Sequence, residues 1–240
     1  MHETTTRQID DGGGRLRSRR RRGFAALIAV GALAAVSLTG IASASARTPT
    51  PTMVGRAFNV SIATATLGKT SPIVGPIADS GRLTTQSSAS LTPPCSVLTG
   101  LVSAQALCNQ VTASSDPADI RSITSLADAE IGVVGVPAIV LGAVTVSSET
   151  TCAGSVGVTN IAYLSVGGHV VINTPTLVKP NTQVSVAGIK LVLNLQVPAP
   201  APSVGLRVDA VHIQIGNSVS SIYVSVGHAE SLIKKCPAQD

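Results

Sequence analysis

Ile189-Lys190-Leu191-Val192-Leu193-Asn194-Leu195-Gln196-Val197 and, beyond a stiff Pro198-Ala199-Pro200-Ala201-Pro202 connection, Leu206-Arg207-Val208-Asp209-Ala210-Val211-His212-Ile213-Gln214-Ile215 decide the fold class. In the first run Ile189, Leu191, Leu193, Leu195 and Val197 share one face, with Lys190, Asn194 and Gln196 opposite. Period-two alternation is the pattern of a half-buried strand. In the second run Leu206 and Val208 open an apolar face that continues out of phase at Val211, Ile213 and Ile215, so a bulge is expected near Ala210.

The same reading extends along the chain. Gly55–Thr66 sets Phe58, Val60 and Ile62 against Asn59, Ser61 and Ala63, and Ile222, Val224 and Val226 form a last apolar face. Val156–Val166 and His169–Ile172 flank Gly167-Gly168, a two-residue hairpin signal. Ile123–Val134 and Val136–Val146 read as strands, the second apolar on both faces and therefore central. Ser71–Gly81 is a turn region and Arg82–Leu91 an extended one; Cys95–Val111 is ambiguous, with a short helix over Val97–Leu107 as one reading of it. These elements predict an all-β protein with an antiparallel β-sandwich. A solenoid-like sheet stack is the alternative, and the lack of a fixed repeat length counts against it. With two Phe, two Tyr and no Trp in 240 residues, the core must be built from aliphatic side chains. Each of these contributes roughly 1.5–3 kcal/mol when buried.

The N-terminus reads as an address. Arg15, Arg17 and Arg19–Arg22 form a positive run, Phe24–Ile41 carries no charge, and Ala44-Ser45-Ala46 supplies the small-x-small pattern of a signal-peptidase site. The expected organisation is a signal peptide over 1–46, helical in its apolar part, a short linker over 47–54 and one β-rich extracellular domain over 55–240. Retention of the apolar stretch as a membrane anchor is the alternative, at the lower length limit for a span. Arg21-Arg22-Gly23-Phe24 also fits a twin-arginine signal, although the general secretory route is preferred. Seven of the 17 basic and three of the 12 acidic residues precede residue 47, leaving ten and nine and a net charge near +1. Nucleic-acid binding needs a clustered basic face, and a mature chain of this balance excludes that class.

All four cysteines, Cys95, Cys108, Cys152 and Cys236, lie beyond the leader. An even number behind a signal peptide implies two disulfides in one of three connectivities. The favoured one joins Cys95 to Cys108 and Cys152 to Cys236, the second closing a long loop that the chain-entropy model values at about 4 kcal/mol. No C-x-x-C spacing suggests zinc.

No catalytic constellation, metal site or cofactor is expected. Asp209 and His212 fall on the polar face of one strand and read as a solvated pair. Gly154-Ser155-Val156-Gly157 lacks the spacing of a nucleophile elbow, and His169 and His228 are the only other histidines beyond the leader. Asp116, Asp119, Asp128 and Glu130 are the densest acidic group, read as solubilising charge rather than calcium ligands. Aromatic sugar platforms are hard to assemble from Phe58, Tyr163 and Tyr223. The Ser/Thr-rich Thr84–Ser90 and Thr145–Thr151 supply flat polar surfaces or ordinary solvated sheet faces.

The order of Asn160–Tyr163, Val166-Gly167-Gly168, Pro180-Asn181-Thr182, Gly188 to Gln196, Val208–Ile213 and the strand closing near Cys236 resembles the choice-of-anchor P family, secreted or surface proteins of high-GC Gram-positive bacteria. Gly75–Ser80 is similar to that family too. The resemblance implies an exported β-rich protein with no known enzymatic chemistry and no site residues to carry over. Only Pro237–Asp240 follow Cys236, without a sorting signal, and the leader has no lipid-attachment cysteine, so free secretion or non-covalent surface retention is expected. The expected function is structural or adhesive and non-enzymatic. A module binding a cell-envelope polymer, a surface protein or a small ligand is the alternative, and a hydrolase around Asp209 and His212 is the remotest.

Overall fold

A computed structural model describes residues 49–66, 69–100, 102–132, 137–186, 188–216 and 220–236. The leader with Ala44 and Ala46, part of the linker, and the junction at 133–136 between two expected strands lie outside the described residues. The strands, in chain order, are β1 (Thr52–Thr66), β2 (Lys69–Ile77), β3 (Leu83–Thr85), β4 (Ala89–Leu91), β5 (Ser96–Leu98), β6 (Val102–Ser115), β7 (Ala118–Ala127), β8 (Ala129–Ile131) and β9 (Ile139–Leu141). They continue as β10 (Val144–Thr151), β11 (Gly154–Ile161), β12 (Leu164–Val166), β13 (His169–Ile172), β14 (Thr176–Leu177), β15 (Thr182–Val186), β16 (Ile189–Pro198), β17 (Val204–Gly216) and β18 (Ser220–Lys234).

They make two antiparallel sheets that pack face to face without closing into a barrel, the sandwich that the alternation predicts. The seven-stranded sheet runs β15-β16-β17-β18-β1-β2, with β3 also on β1. In the eleven-stranded sheet β6 pairs with β4 and β5 on one side and with β7 and β8 on the other. Four runs there are each interrupted partway: β7–β8 at Asp128, β9–β10 at Gly142–Ala143, β11–β12 at Ala162–Tyr163 and β13–β14 at 173–175. They follow one another as a meander. The described part of Val136–Val146, expected as one central strand, is therefore two, separated at Gly142–Ala143. The ambiguous stretch at Val97–Leu107, for which a short helix is one reading, is the β5–β6 hairpin. Local apolar spacing suits either, but Cys95 and Cys108 stand opposite one another across it, bonded, with Cα atoms 4.4 Å apart. That separation is the close-paired distance of an antiparallel ladder. Gly167 and Gly168, both at positive φ, turn the predicted hairpin between β12 and β13.

One irregularity crosses four strands. The ladders between β16, β17, β18 and β1 keep constant register, yet Asn194, Ala210, Gly227 and Asn59 drop out of pairing at one level. Asn194 and Gly227 take positive φ there (51° and 63°). Two consecutive residues point inward in each strand, Asn59 with Val60 and Asn194 with Leu193 among them, so the apolar phase flips on all four together. The expected slip at Ala210 is one member of this row. The flip corrects two expectations: beyond it Phe58 leaves the face of Val60 and Ile62, and Val197 is exposed while Asn194 is buried.

The flip divides the interior. On one side Val60, Ile62, Leu191, Ile213 and Val226 meet Leu107, Ile131, Leu141, Ile161 and Leu164 in an aliphatic core. On the other side the sheets approach closely: a Cβ on Gly55 would lie 2.6 Å from Val111 Cγ1, and one on Gly157 would lie 2.6 Å from Val208 Cγ2. Hydroxyls bridge that gap. Ser122 Oγ donates to the Glu230 carbonyl (2.6 Å), Ser148 Oγ to that of Leu206 (2.8 Å) and Thr150 Oγ1 to that of Ser231 (3.2 Å). Cys152–Cys236 ties the β10–β11 turn to the end of β18 at this same end, beside a small cluster of Met53, Val111, Ile120 and Ile233. The described residues contain no helix long and apolar enough to cross a membrane.

Two outcomes are expected in urea denaturation. Gly157→Ala costs about 1–3 kcal/mol by overpacking, whereas Gly75→Ala, with nothing within 4 Å of the added Cβ, stays within about 0.5 kcal/mol. Replacing Cys152 and Cys236 by serine, which opens a closure of 84 residues, costs about 4.5 kcal/mol, against about 3 kcal/mol for the 13-residue Cys95–Cys108 closure.

Candidate functional site

Beyond the phase flip the outer face of the seven-stranded sheet carries charge in cross-strand rows. Leu195, Asp209, His228 and Phe58 stand side by side, and Val197, Arg207, Glu230 and Arg56 form the next row. Asp209 and His228 are almost fully buried even so. His228 Nδ1 and Asp209 Oδ1 are 2.6 Å apart, and the imidazole lies flat on Phe58, with ring centroids 4.1 Å apart and planes 10° apart. Arg207 Nε approaches the second Asp209 oxygen at 3.7 Å. Arg56 sits over the Phe58 ring and grips Asp79 with two nitrogens, Nε at 3.1 Å and Nη2 at 2.5 Å. Both members of this last pair are held charged: the hydrogen bonds raise the arginine above its usual range and lower the carboxyl below its own.

Asp209 is therefore not a solvated partner of His212. It is buried and bonded to His228, a pairing between β17 and β18 that spacing within one strand cannot show. His212 does share the outward face, but its Nδ1 faces Ser225 Oγ at 3.2 Å and its ring lies beside Tyr223. Burial lowers the His212 pKa below the ordinary value; Asp209 opposes that shift and Arg207 adds to it. An Asp–His pair is the orienting half of a hydrolytic triad, whose other half is a nucleophile on the second ring nitrogen. Among the described residues no serine or cysteine is hydrogen-bonded to His228. Ser80, on the turn beside Asp79, instead accepts the Ala57 N–H and donates to the Gly81 carbonyl.

The other expected groups separate in space. Asp119 and Asp128 lie at opposite ends of β7, about 30 Å apart at strand rise, and no three potential ligands cluster around a metal-sized space among the described residues. Burial raises the Asp119 pKa, with Glu149 adding. Thr84–Ser90 is split between the sheets. Thr145–Thr151 is only half a solvated face: Thr145 and Glu149 point outward, while Ser148 and Thr150 are fully buried and bonded across the sandwich.

An apolar cleft of about 530 Å³, at the side of the sandwich, was not anticipated. It opens where β13 and β14, ending one sheet, face β15, ending the other. Val170, Ile172, Leu177, Val184 and Val186 line it, with Lys179 at its rim. Val170 and Leu177 are 55% and 70% exposed. Three very short strands and a loop build it, and the sequence of each is too brief to announce a cavity.

Compared with known proteins, the chain matches no protein family, no curated protein and no solved structure.

The depressed His212 pKa sets the sign of a pH effect. The unfolded chain takes up the proton first, so this contribution is complete above the usual histidine range and is lost as the pH falls through it. The urea midpoint is expected to fall from about pH 8 to about pH 5, and His212→Gln is expected to remove part of that slope.

Proposed function

We propose that this protein is an exported, non-enzymatic domain of structural or adhesive type, secreted freely or held non-covalently at the cell surface. The observation that carries the reading is the pair of disulfides, Cys95–Cys108 across a hairpin and Cys152–Cys236 between the sheets, a covalent pattern that persists in oxidising surroundings. The basic and apolar leader with Ala44-Ser45-Ala46 supports the same destination, and the resemblance to choice-of-anchor P proteins implies an exported protein without known enzymatic chemistry. The Asp209–His228 pair is used in this reading to order the outer face of β17, β18 and β1, with Phe58 stacked on the imidazole.

A second reading, attachment to a cell-envelope polymer, is favoured by the outer face of the eleven-stranded sheet. There Val156 and Val158 are 65% and 41% exposed in one line with Asn160, beside Thr145 and Glu149 on β10. Apolar area interleaved with amide and hydroxyl groups suits a sugar polymer.

Fractionation of the producing cell is expected to recover the mature chain, starting near Arg47 and without free thiols, from the medium or envelope. Recovery of the full-length, reduced chain from soluble cytoplasm would overturn export. Sedimentation with purified wall material, weakened about tenfold by a Val156→Asp, Val158→Asp double variant, would support the polymer reading, and sedimentation no greater than with an inert particle would remove it.

A further inference from the structure

We propose that the cleft between β13–β14 and β15 is a binding site for a free single-chain amphiphile: one aliphatic chain with a single anionic end. The inference stands apart from the adhesive reading, since it concerns the opposite side of the interior from the disulfide-tied end; Leu177, paired with Asn160, is where the cleft borders the outer face of β11.

Its volume, about 530 Å³, falls within the roughly 300–1,000 Å³ of small-molecule sites, which are apolar with a few convergent polar groups. The walls are aliphatic. Val184 and Val186 point in from β15, Leu193 closes the floor from β16, and Ile172 and Leu177 form the facing wall. No aromatic ring lines it, so a flat ring finds no stacking partner, while a flexible chain can follow the extended β15. Solvent reaches this wall, with Val170 and Leu177 among the more exposed large apolar residues of the fold. Exposed apolar area of this kind marks recognition surfaces.

Lys179 sets the sign of the ligand. It is the one charged residue in the lining, and it makes no ion pair among the described residues. No carboxylate competes for it within the cleft. The loop that carries it is fixed. Val178 N–H donates to the Thr159 carbonyl at 3.0 Å, Asn194 Nδ2 donates to the Val178 carbonyl at 2.7 Å, and Thr182 Oγ1 donates to the Lys179 carbonyl at 2.8 Å. A lysine thus borders the apolar trough on an anchored backbone, which matches a ligand with one apolar and one anionic end. The cleft beside β17 and β18 makes a weaker case, because its Arg207 and Glu230 already face Asp209 and Arg82.

The test uses the purified, oxidised mature chain and calorimetric titration with laurate, with dodecyltrimethylammonium as a cation of similar chain and acetate as an anion without one. Saturable binding of laurate alone is expected. Lys179→Glu is expected to weaken it about threefold or more, as loss and reversal of an exposed ion pair, with the loss shrinking at high salt. Leu177→Asp is expected to weaken it at least tenfold; Leu177 is exposed, so the variant folds, and its unchanged urea midpoint verifies this. Val97→Asp, at an exposed valine outside the cleft, leaves binding intact. Failure of laurate to bind, equal binding of the cation, or indifference to Leu177→Asp would overturn the proposal. So would binding to anionic vesicles without binding of free laurate, which would assign the cleft to a membrane. A dimer dissolved by Leu177→Asp in the absence of laurate binding would assign it to a second copy of this chain.

Discussion

The two sheets meet through hydroxyl groups that reach the backbone of the facing layer. In one half of the sandwich Ser122, Ser148 and Thr150 donate to carbonyls of β17 and β18. A buried carbonyl has a second lone pair after its ladder bond is made, and a buried hydroxyl must find an acceptor. Meeting both needs with a short side chain requires the backbones to come close. The glycines at 55 and 157 follow from that demand, because any Cβ there would enter Val111 or Val208. So does the scarcity of aromatic residues, whose rings would hold the layers apart.

Close approach in one half and aliphatic filling in the other cannot be served by uninterrupted alternation. The row of Asn194, Ala210, Gly227 and Asn59 resolves the conflict by letting four strands change phase at one level without a register shift. Two of its members put their amides to work: Thr159 Oγ1 donates to Asn194 Oδ1 at 3.0 Å, and Asn59 Nδ2 donates to Asn109 Oδ1 at 3.2 Å. Thr124 Oγ1 also donates to Asn109 Oδ1. The change of phase has a consequence on the outside, where it brings Asp209, His228 and Phe58 into one lateral row. The charged network there is a by-product of how the interior is packed. The burial of Asp209 and His228 is what distinguishes that hydrogen-bonded pair from an ordinary polar contact at a surface.

This explains what the sequence disclosed and what it withheld. Alternation in Ile189–Leu193, Val211–Ile215 and Ile222–Val226 is local and survives intact, and Gly167-Gly168 announces its own turn. The slip at Ala210 is readable because apolar residues lie on both sides of it. The same slip at Asn59 and Asn194 is not, since an asparagine between apolar neighbours looks like a solvent-facing residue until a partner on the other sheet is known. The ambiguity at Val97–Leu107 is of another kind: apolar spacing there suits helix and strand alike, and the deciding fact is that Cys95 pairs with Cys108 across a hairpin. Asp209 with His228 and the wall of the cleft are juxtapositions between strands or between sheets, and no window of one strand contains them.

The two halves also differ in how firmly they are held. The hydroxyl-laced half has a disulfide between the layers. On the cleft side of the aliphatic half the sheets end in β13, β14 and β15, of four, two and five residues, with no covalent tie among the described residues there. Local opening favours segments with short ladders and exposed backbone hydrogen bonds, so fluctuations of this fold concentrate where β15 faces β14. The opposite edge strand, β2, carries Lys69, Pro72 and Pro76, devices that discourage further pairing at an edge, while β15 (Thr-Gln-Val-Ser-Val) carries neither charge nor proline. Rigidity is therefore invested at the stitched end, and the side of the sandwich that can yield is also the side whose apolar wall is uncovered. A ligand entering there need not disturb the hydroxyl contacts on which the rest of the packing depends.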